Sequence, residues 1–169
     1  MQDIFKEQLV KKNPTVKDRL MQAALIFAVM VVFFISMTFI PGFGIVITLI
    51  AGFAAYILIG RLKKEYEYIF TNGELDIDVI YNKSSRKRVF SGFVKDFELM
   101  AHIDDESHKR SFGTASQTLD YSSSTPSERS YIFLTQKNNI KTAVIIEPND
   151  EMLGAISKVL TRRKFHPKK

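Results

Sequence analysis

The sequence predicts an α+β protein in which a transmembrane hairpin of two helices is followed by an antiparallel β domain with a C-terminal amphipathic helix. Three observations lead to this prediction. Residues 20–60 contain no Asp, Glu, Lys or Arg. After Lys64 the chain alternates apolar with polar residues, which is typical of strands half-buried in a sheet. The last patterned segment, residues 149–164, spaces its apolar residues as a helix does.

The excess positive charge of the chain lies on both sides of the apolar region. The chain has 169 residues and a formal net charge of +6. Residues 1–64 hold eight Lys/Arg against three Asp/Glu, whereas the remaining residues hold 16 against 15. A nucleic-acid-binding module concentrates basic charge on its own surface. The nearly neutral β domain therefore predicts no nucleic-acid partner, and the absence of cysteine excludes disulfides and Cys-based zinc sites.

Residues 1–19 form a basic N-terminal segment for which the sequence leaves two interpretations. The spacing of Ile4, Phe5, Gln8 and Leu9 is compatible with one or two amphipathic helical turns on the membrane surface, ended by Pro14. A partly disordered basic tail is equally compatible with the composition.

The transmembrane hairpin is predicted at residues 20–60, with helices at 20–40 and 43–59. A helix needs roughly 20 apolar residues to cross the hydrocarbon core, and the tolerated range begins at about 17. The two apolar stretches meet at a turn formed by Pro41, Gly42 and Gly44. Proline lacks an N–H and glycine accepts a positive φ, so we expect the chain to reverse direction there.

Basic residues flank the hairpin on both outer sides, whereas the turn between the helices has no charge. Because loops rich in Lys and Arg stay in the cytoplasm, we expect a multi-pass protein of the cell membrane with both termini cytoplasmic. The residues that anchor this topology are Lys11, Lys12, Lys17, Arg19, Arg61, Lys63 and Lys64.

The second helix contains the small residues Ala51, Gly52 and Ala55. Small side chains let membrane helices approach closely. We expect this surface to pack the hairpin, and a homo-oligomer formed through the same residues is the second interpretation.

The soluble domain is predicted at residues 65–169, as one independent core. Two runs of alternating apolar residues, 66–70 and 75–81, flank Asn72-Gly73, the pair favoured in two-residue hairpin turns. Further strands are predicted at 87–94 and 97–103, and a second hairpin around Lys137-Asn138-Asn139. The Ser/Thr-rich residues 104–129 read as a long loop with a short strand at 117–121. Asn149 is a suitable N-cap for the C-terminal helix at 149–164, whose apolar face we expect to dock on the sheet.

This order of elements resembles a bacterial pleckstrin-homology-like (PH-like) domain, a bent sheet or split barrel closed by a C-terminal helix. The chain is also similar to a family of small, uncharacterised clostridial-type membrane proteins in which two helices precede such a domain. The segment that carries this resemblance best is Glu65–Asp78, EYEYIFTNGELDID. The family implies no activity. PH-like domains elsewhere bind phosphoinositides, peptides or proteins, but no lipid-binding motif aligns here.

The sequence contains two polar clusters that are candidate sites. Lys83, Arg86, Lys87 and Arg88 are predicted to contact anionic headgroups of the inner leaflet, with a solvated turn as the alternative. Two histidines and three carboxylates lie within residues 102–108, but their spacing matches no metal signature, so we predict a solvated turn and no metal.

The sequence thus predicts a membrane-anchored binding or scaffold protein that is not an enzyme. The serines of residues 122–130 lack the context of a catalytic nucleophile, and no glycine-rich phosphate loop is present, so no cofactor is expected. The expected partners are the lipid bilayer and a protein. The alternative is an accessory or regulatory subunit of a larger membrane transport or envelope complex.

Overall fold

The apolar segments form two long helices, α1 (Val16–Phe39) and α2 (Gly44–Leu62). The structure, a computed structural model, describes residues 4–125, 127–161 and 163–168. Both helices are long and apolar enough to cross a membrane. At their outer ends they extend beyond the predicted 20–40 and 43–59, because Thr15 caps α1 in a capping box with Asp18 and because Lys17, Arg19 and Arg61 are tolerated in the terminal turns. At the turn between them each helix is one residue shorter than predicted.

The reversal between α1 and α2 is made by residues 41–43, and one predicted detail of it is wrong. Gly44 is the first residue of α2, and neither Gly42 nor Gly44 has a positive φ. Gly44 is needed for space instead: a Cβ there would lie 3.1 Å from the carbonyl carbon and oxygen of Ser36. The glycine therefore lets the two helix backbones approach at the turn.

Within the part of the chain that the structure describes, nine strands form two sheets. The strands are β1 (Phe5–Lys11), β2 (Lys64–Thr71), β3 (Glu74–Tyr81), β4 (Ser85–Phe93), β5 (Leu99–His102), β6 (Gln117–Asp120), β7 (Tyr131–Lys137), β8 (Ile140–Ile146) and β9 (Phe165–His166). The first sheet has the order β1-β2-β3-β4 and the second β6-β8-β7-β5-β9. Most neighbours are antiparallel, as predicted, but β6 pairs with β8 and β5 with β9 in parallel.

Both predicted hairpin turns are present. Asn72 and Gly73 have φ values of 50° and 94°, and Asn138 and Asn139 have values of 51° and 62°. Two consecutive positive φ values are the mark of a type I′ turn, whose twist matches that of the flanking strands.

Residues 5–11 of the N-terminal segment are neither helical nor a loose tail but form strand β1, so both interpretations of this part of the segment were wrong. Strand β1 pairs with β2 from Phe5↔Thr71 to Lys11↔Glu65. The Gln8 amide holds the strand in place: its Nε2 donates to the Glu147 carbonyl (2.8 Å), and its Oε1 accepts from the Asn149 N–H (2.6 Å). Residues 1–3 lie outside the described part.

The chain divides into two units, and the boundary differs from the predicted division into 1–19, 20–60 and 65–169. The helical unit comprises residues 14–64 and the turn 81–85. The β unit comprises the chain up to residue 13, residues 65–80, and the chain from residue 86 onward. The β unit thus includes β1, which lies within the predicted basic N-terminal segment 1–19.

The core of the β unit lies between the two sheets and is rich in aromatic residues. The rings of Phe97 and Phe133 stack with centroids 4.0 Å apart, and Phe90 meets Phe133 edge-on at 5.5 Å. Tyr68 is fully buried, and its hydroxyl donates to the Tyr121 carbonyl at 2.6 Å. The buried hydroxyl is therefore hydrogen-bonded inside an apolar core.

The predicted loop 104–129 is partly structured, with Pro126 outside the described residues. It contains a 3-10 turn (Glu106–His108), a short helix α3 (Lys109–Phe112) and β6, the strand predicted there.

The C-terminal helix α4 (Asp150–Val159) is shorter than the predicted 149–164. Asn149 caps it as predicted, accepting from the Met152 N–H. The helix ends because Leu160 is extended and the chain then turns toward β9, which pairs with β5. Arg163 and Lys164 consequently lie beyond the helix, and Arg162 is outside the described residues.

Candidate functional site

Of the four basic residues predicted as a cluster at Lys83–Arg88, the two arginines form ion pairs and the two lysines do not, among the described residues. Arg86 and Arg88 lie on β4 and are engaged: Arg86 Nη2 lies 2.7 Å from Glu67 Oε1, and Arg88 pairs with Asp76 and Asp78. Among the described residues, no carboxylate lies within 4.0 Å of the Lys83 or Lys87 ammonium. Contact with anionic lipid stays a prediction, and the two lysines are the residues available for it.

Glu67 is the most buried acid of this ion-pair network, at 2% exposure. Burial raises the pKa of its carboxyl, while Arg86 opposes the shift and nearby Glu7 adds to it. Its Oε2 has no hydrogen-bond partner among the described residues. Hydrogen bonding to Asp78 in turn raises the pKa of Arg88. These charges stabilise the outer face of the first sheet and are not organised around a reactive group.

A groove of about 610 Å³ lies between β1 and α4 in the β unit. Strand β1 is at an edge of its sheet, and Phe5 beside the groove is 58% exposed. The floor is open at Gly154, where an added Cβ would meet nothing within 4 Å. Lys6 and Glu151 form an ion pair across the groove at 2.8 Å. The groove is lined by Ile4, Phe5, Lys6, Asp150, Glu151, Gly154, Ala155 and Lys158. An exposed strand edge beside a helix is a surface on which peptides dock.

The fold places the two histidines of residues 102–108 in different surroundings. His102 is buried, with Nε2 3.0 Å from the Glu128 carbonyl and its ring edge-on to Tyr131. Asp105 and His108 lie together with His166 of β9, which sequence reasoning did not include. Hydrogen bonds from Ser107 and His108 lower the pKa of the Asp105 carboxyl to about 2. No sequence signal indicated His166, because it is far away in the chain and reaches the loop only through β9.

The interior of the helical hairpin contains a small polar contact. Thr48 Oγ1 donates to the Gly44 carbonyl at 2.8 Å, and Ser36 Oγ lies 3.1 Å from the same oxygen. Ala55 is buried within this unit, whereas a Cβ on Gly52 would meet nothing within 4 Å. Ala55 therefore packs the hairpin, and the homo-oligomer through Ala51, Gly52 and Ala55 stays a prediction.

The residues that anchor the predicted topology occupy the ends of helices and strands. Before the hairpin, Lys11 ends β1, Lys12 lies in the connection to α1, and Lys17 and Arg19 lie in the first turns of α1. After the hairpin, Arg61 lies in the last turn of α2, Lys63 is the C-cap of α2, and Lys64 begins β2.

A single known protein family accounts for both the helical hairpin and the β unit. The profile of a bacterial PH-like domain family, DUF6106, matches residues 2–166. The chain belongs to this family. The match includes β1 and the hairpin, so the PH-like family covers both units, and it confirms the resemblance found in the sequence. No curated protein and no solved structure matches this PH-like protein.

A PH-like domain with two candidate membrane-spanning helices is compatible with a membrane-anchored protein that has no catalytic role. PH-like domains are generally non-catalytic. The candidate functional sites are therefore surfaces: the edge of β1, the groove beside α4 and the faces of the hairpin.

Proposed function

We propose that this PH-like protein is a membrane-anchored, non-catalytic binding protein whose hairpin holds the β unit at the cytoplasmic face of the cell membrane. The observation that carries the proposal is the pairing of β1 with β2. Strand β1 precedes the hairpin in the chain and β2 follows it, yet the two pair along the whole length of β1. The hairpin is therefore an insertion within one β unit.

This insertion constrains the topology. If α1 and α2 each cross the bilayer, the chain enters and leaves from one side, because both ends lead into the same sheet. The basic residues that flank the hairpin favour the cytoplasm as that side. The connections are short: residues 12–15 join β1 to α1, and Lys63 alone separates α2 from β2. At no more than about 3.6 Å per residue, such connections tether the β unit to the bilayer surface.

Labelling of single cysteines tests this topology, since the chain has no cysteine of its own. We expect Gly42→Cys, in the turn between the helices, to react with a membrane-impermeant thiol reagent in intact cells. Gln136→Cys, exposed on β7, should react only after the cells are permeabilised. Labelling of Gln136→Cys in intact cells would contradict the proposal.

We propose the groove between β1 and α4 as the surface that binds a protein partner, through an extended segment of that partner. The free edge of β1 offers backbone hydrogen bonds to a peptide. The open space over Gly154 beside the exposed Phe5 can receive an apolar side chain. A tether at the membrane raises the effective concentration of such a domain toward membrane-bound partners without new contacts.

Site-specific photo-crosslinking in living cells tests the groove. A photoreactive amino acid at Gly154 should give an adduct with a second protein, and one at Gln136 on the other sheet serves as the matched exposed control. An adduct at both positions, or at neither, would contradict docking in the groove. The same probe at Gly52 examines the alternative: an adduct from Gly52 and none from Gly154 would favour an accessory subunit held through its helices.

A further inference from the structure

The parallel pairing of β5 and β9 brings two segments together that are distant in the chain. Ala101 of β5 is opposite His166 of β9. Both strands run in the same direction, so the residues that follow β5 emerge beside His166. Those residues form the 3-10 turn that carries His108, and the two imidazole rings stack with centroids 4.0 Å apart. Asp105 Oδ2 lies 2.9 Å from His108 Nδ1.

Hydrogen bonds already orient the donor atoms of this cluster. Asp105 Oδ1 accepts from the backbone N–H of Ser107 at 3.0 Å and from its hydroxyl, which leaves Oδ2 directed at His108. His166 Nε2 lies 3.2 Å from the Arg163 carbonyl. A carbonyl oxygen only accepts, so Nε2 donates and the lone pair is on Nδ1. Metal-binding histidines and carboxylates are oriented by outer hydrogen bonds of this kind.

We propose that Asp105, His108 and His166 bind a divalent transition-metal ion, with zinc as the best-matched species. One donor atom of each residue lies within 4.8 Å of the other two. Tetrahedral zinc with bonds of about 2.0–2.1 Å separates its ligand atoms by about 3.4 Å. The two imidazole rings are stacked, so both would have to rotate out of the stack to direct their lone pairs at one ion. Two imidazoles and one carboxylate suit zinc, whereas magnesium and calcium prefer all-oxygen sites.

The ion would take the place of the proton shared by Asp105 and His108 and would leave one coordination position for water. A cavity of about 380 Å³, lined in part by Asp105, Glu106 and Ser107, opens beside the cluster and provides a path for entry. The ion would join the loop after β5 to β9, a strand of two residues. The consequence is a metal clamp on the C-terminal segment, a role separate from the groove and from the membrane anchor.

Calorimetric titration of zinc into the full-length, tag-free, chelator-treated protein in detergent tests the proposal. Wild type should bind one zinc ion per chain, and its melting temperature should rise with zinc concentration. His166→Asn and His108→Asn should each weaken binding by at least about 100-fold, since even outer-shell changes typically cost 10- to 100-fold. Glu106→Gln is the matched control: both oxygens of Glu106 face Lys109, at 2.9 and 3.1 Å, and binding should be unchanged.

Absence of zinc binding by wild type, or wild-type affinity in His166→Asn, would overturn the proposal. Each variant must melt like wild type in the absence of metal before its affinity is compared. X-ray absorption of the zinc-bound wild type gives a readout that needs no variant: backscattering from two imidazoles supports the site, and an all-oxygen shell refutes it.

Discussion

At the residue scale, Glu67 shows how one buried carboxyl depends on a half-exposed partner. Burial raises the pKa of the Glu67 carboxyl, and the positive charge of Arg86 partly opposes this rise. Because the folded-state pKa of Glu67 lies above its unfolded value, protonation of Glu67 stabilises the folded state. This stabilisation is lost as pH rises through the folded-state pKa. Arg86 limits the loss by pairing with the ionised carboxylate.

We therefore predict that Arg86→Gln destabilises the protein by about 2 kcal/mol near neutral pH, less than for a fully buried pair because Arg86 is half exposed. Without Arg86 the pKa of Glu67 rises further, so the penalty should shrink as pH falls and Glu67 becomes neutral. Denaturant melts at about pH 8 and pH 5 measure the difference. Lys87→Gln, one residue along β4, is the control and should change stability by less than about 0.5 kcal/mol at both pH values. Equal losses for Arg86→Gln at the two pH values would refute the coupling.

At the element scale, α4 contributes its apolar face to the core, as the sequence predicts. Met152 and Ile156 are fully buried, Leu160 is buried just past the last turn, and Lys158 on the opposite side is exposed. A helix of this length is marginal in water, so tertiary burial supplies most of its stability.

Ile156→Asp places a charge at a site with 0% exposure and should cost several kcal/mol, enough to unfold a domain of typical stability. Lys158→Asp should cost less than about 0.5 kcal/mol. Thermal melts followed by circular dichroism compare the two variants, which introduce the same residue into one helix and so isolate burial as the variable. Similar melting of both variants would mean that α4 is not docked as described.

At the scale of the whole molecule, the hairpin interrupts a β unit that is otherwise continuous. Residues 65–169, the domain expected from the sequence, lack β1 and would expose the paired edge of β2 together with the groove face of α4. The compact unit in the structure includes the residues of β1, so its bounds differ from those of the expected domain, and independent folding of residues 65–169 stays a prediction.

We predict that joining Lys12 to Lys64 through an Asn-Gly turn, in place of the hairpin, yields a soluble domain that unfolds cooperatively. Lys11 pairs with Glu65, so the next residues are placed for a two-residue turn. The fragment 65–169 should melt at a lower temperature or aggregate, because β1 also contributes the Gln8 hydrogen bonds to residues 147 and 149. Equal stability of the two chains in a denaturant melt would show that β1 is dispensable.

The sequence by itself determined the features that are encoded locally. The uncharged stretches predict α1 and α2 since a span requires a continuous apolar run. Asn72-Gly73 and Asn138-Asn139 predict their hairpins since two successive positive φ values need such residues. The face of α4 follows from helical spacing. The resemblance to a PH-like domain, carried by residues 65–78, was confirmed by the family match.

The tertiary structure decided the features that depend on partners distant in the chain. Residues 5–11 carry a weak local pattern, and they become β1 because β2, which follows the hairpin, supplies the backbone hydrogen bonds. His166 joins Asp105 and His108 only because β9 pairs in parallel with β5. Arg86 and Arg88 look like free cations in the sequence, yet they meet Glu67, Asp76 and Asp78 across strands. The alternation within a strand does not say which distant strand it pairs with, so the partner is decided only when the sheet assembles.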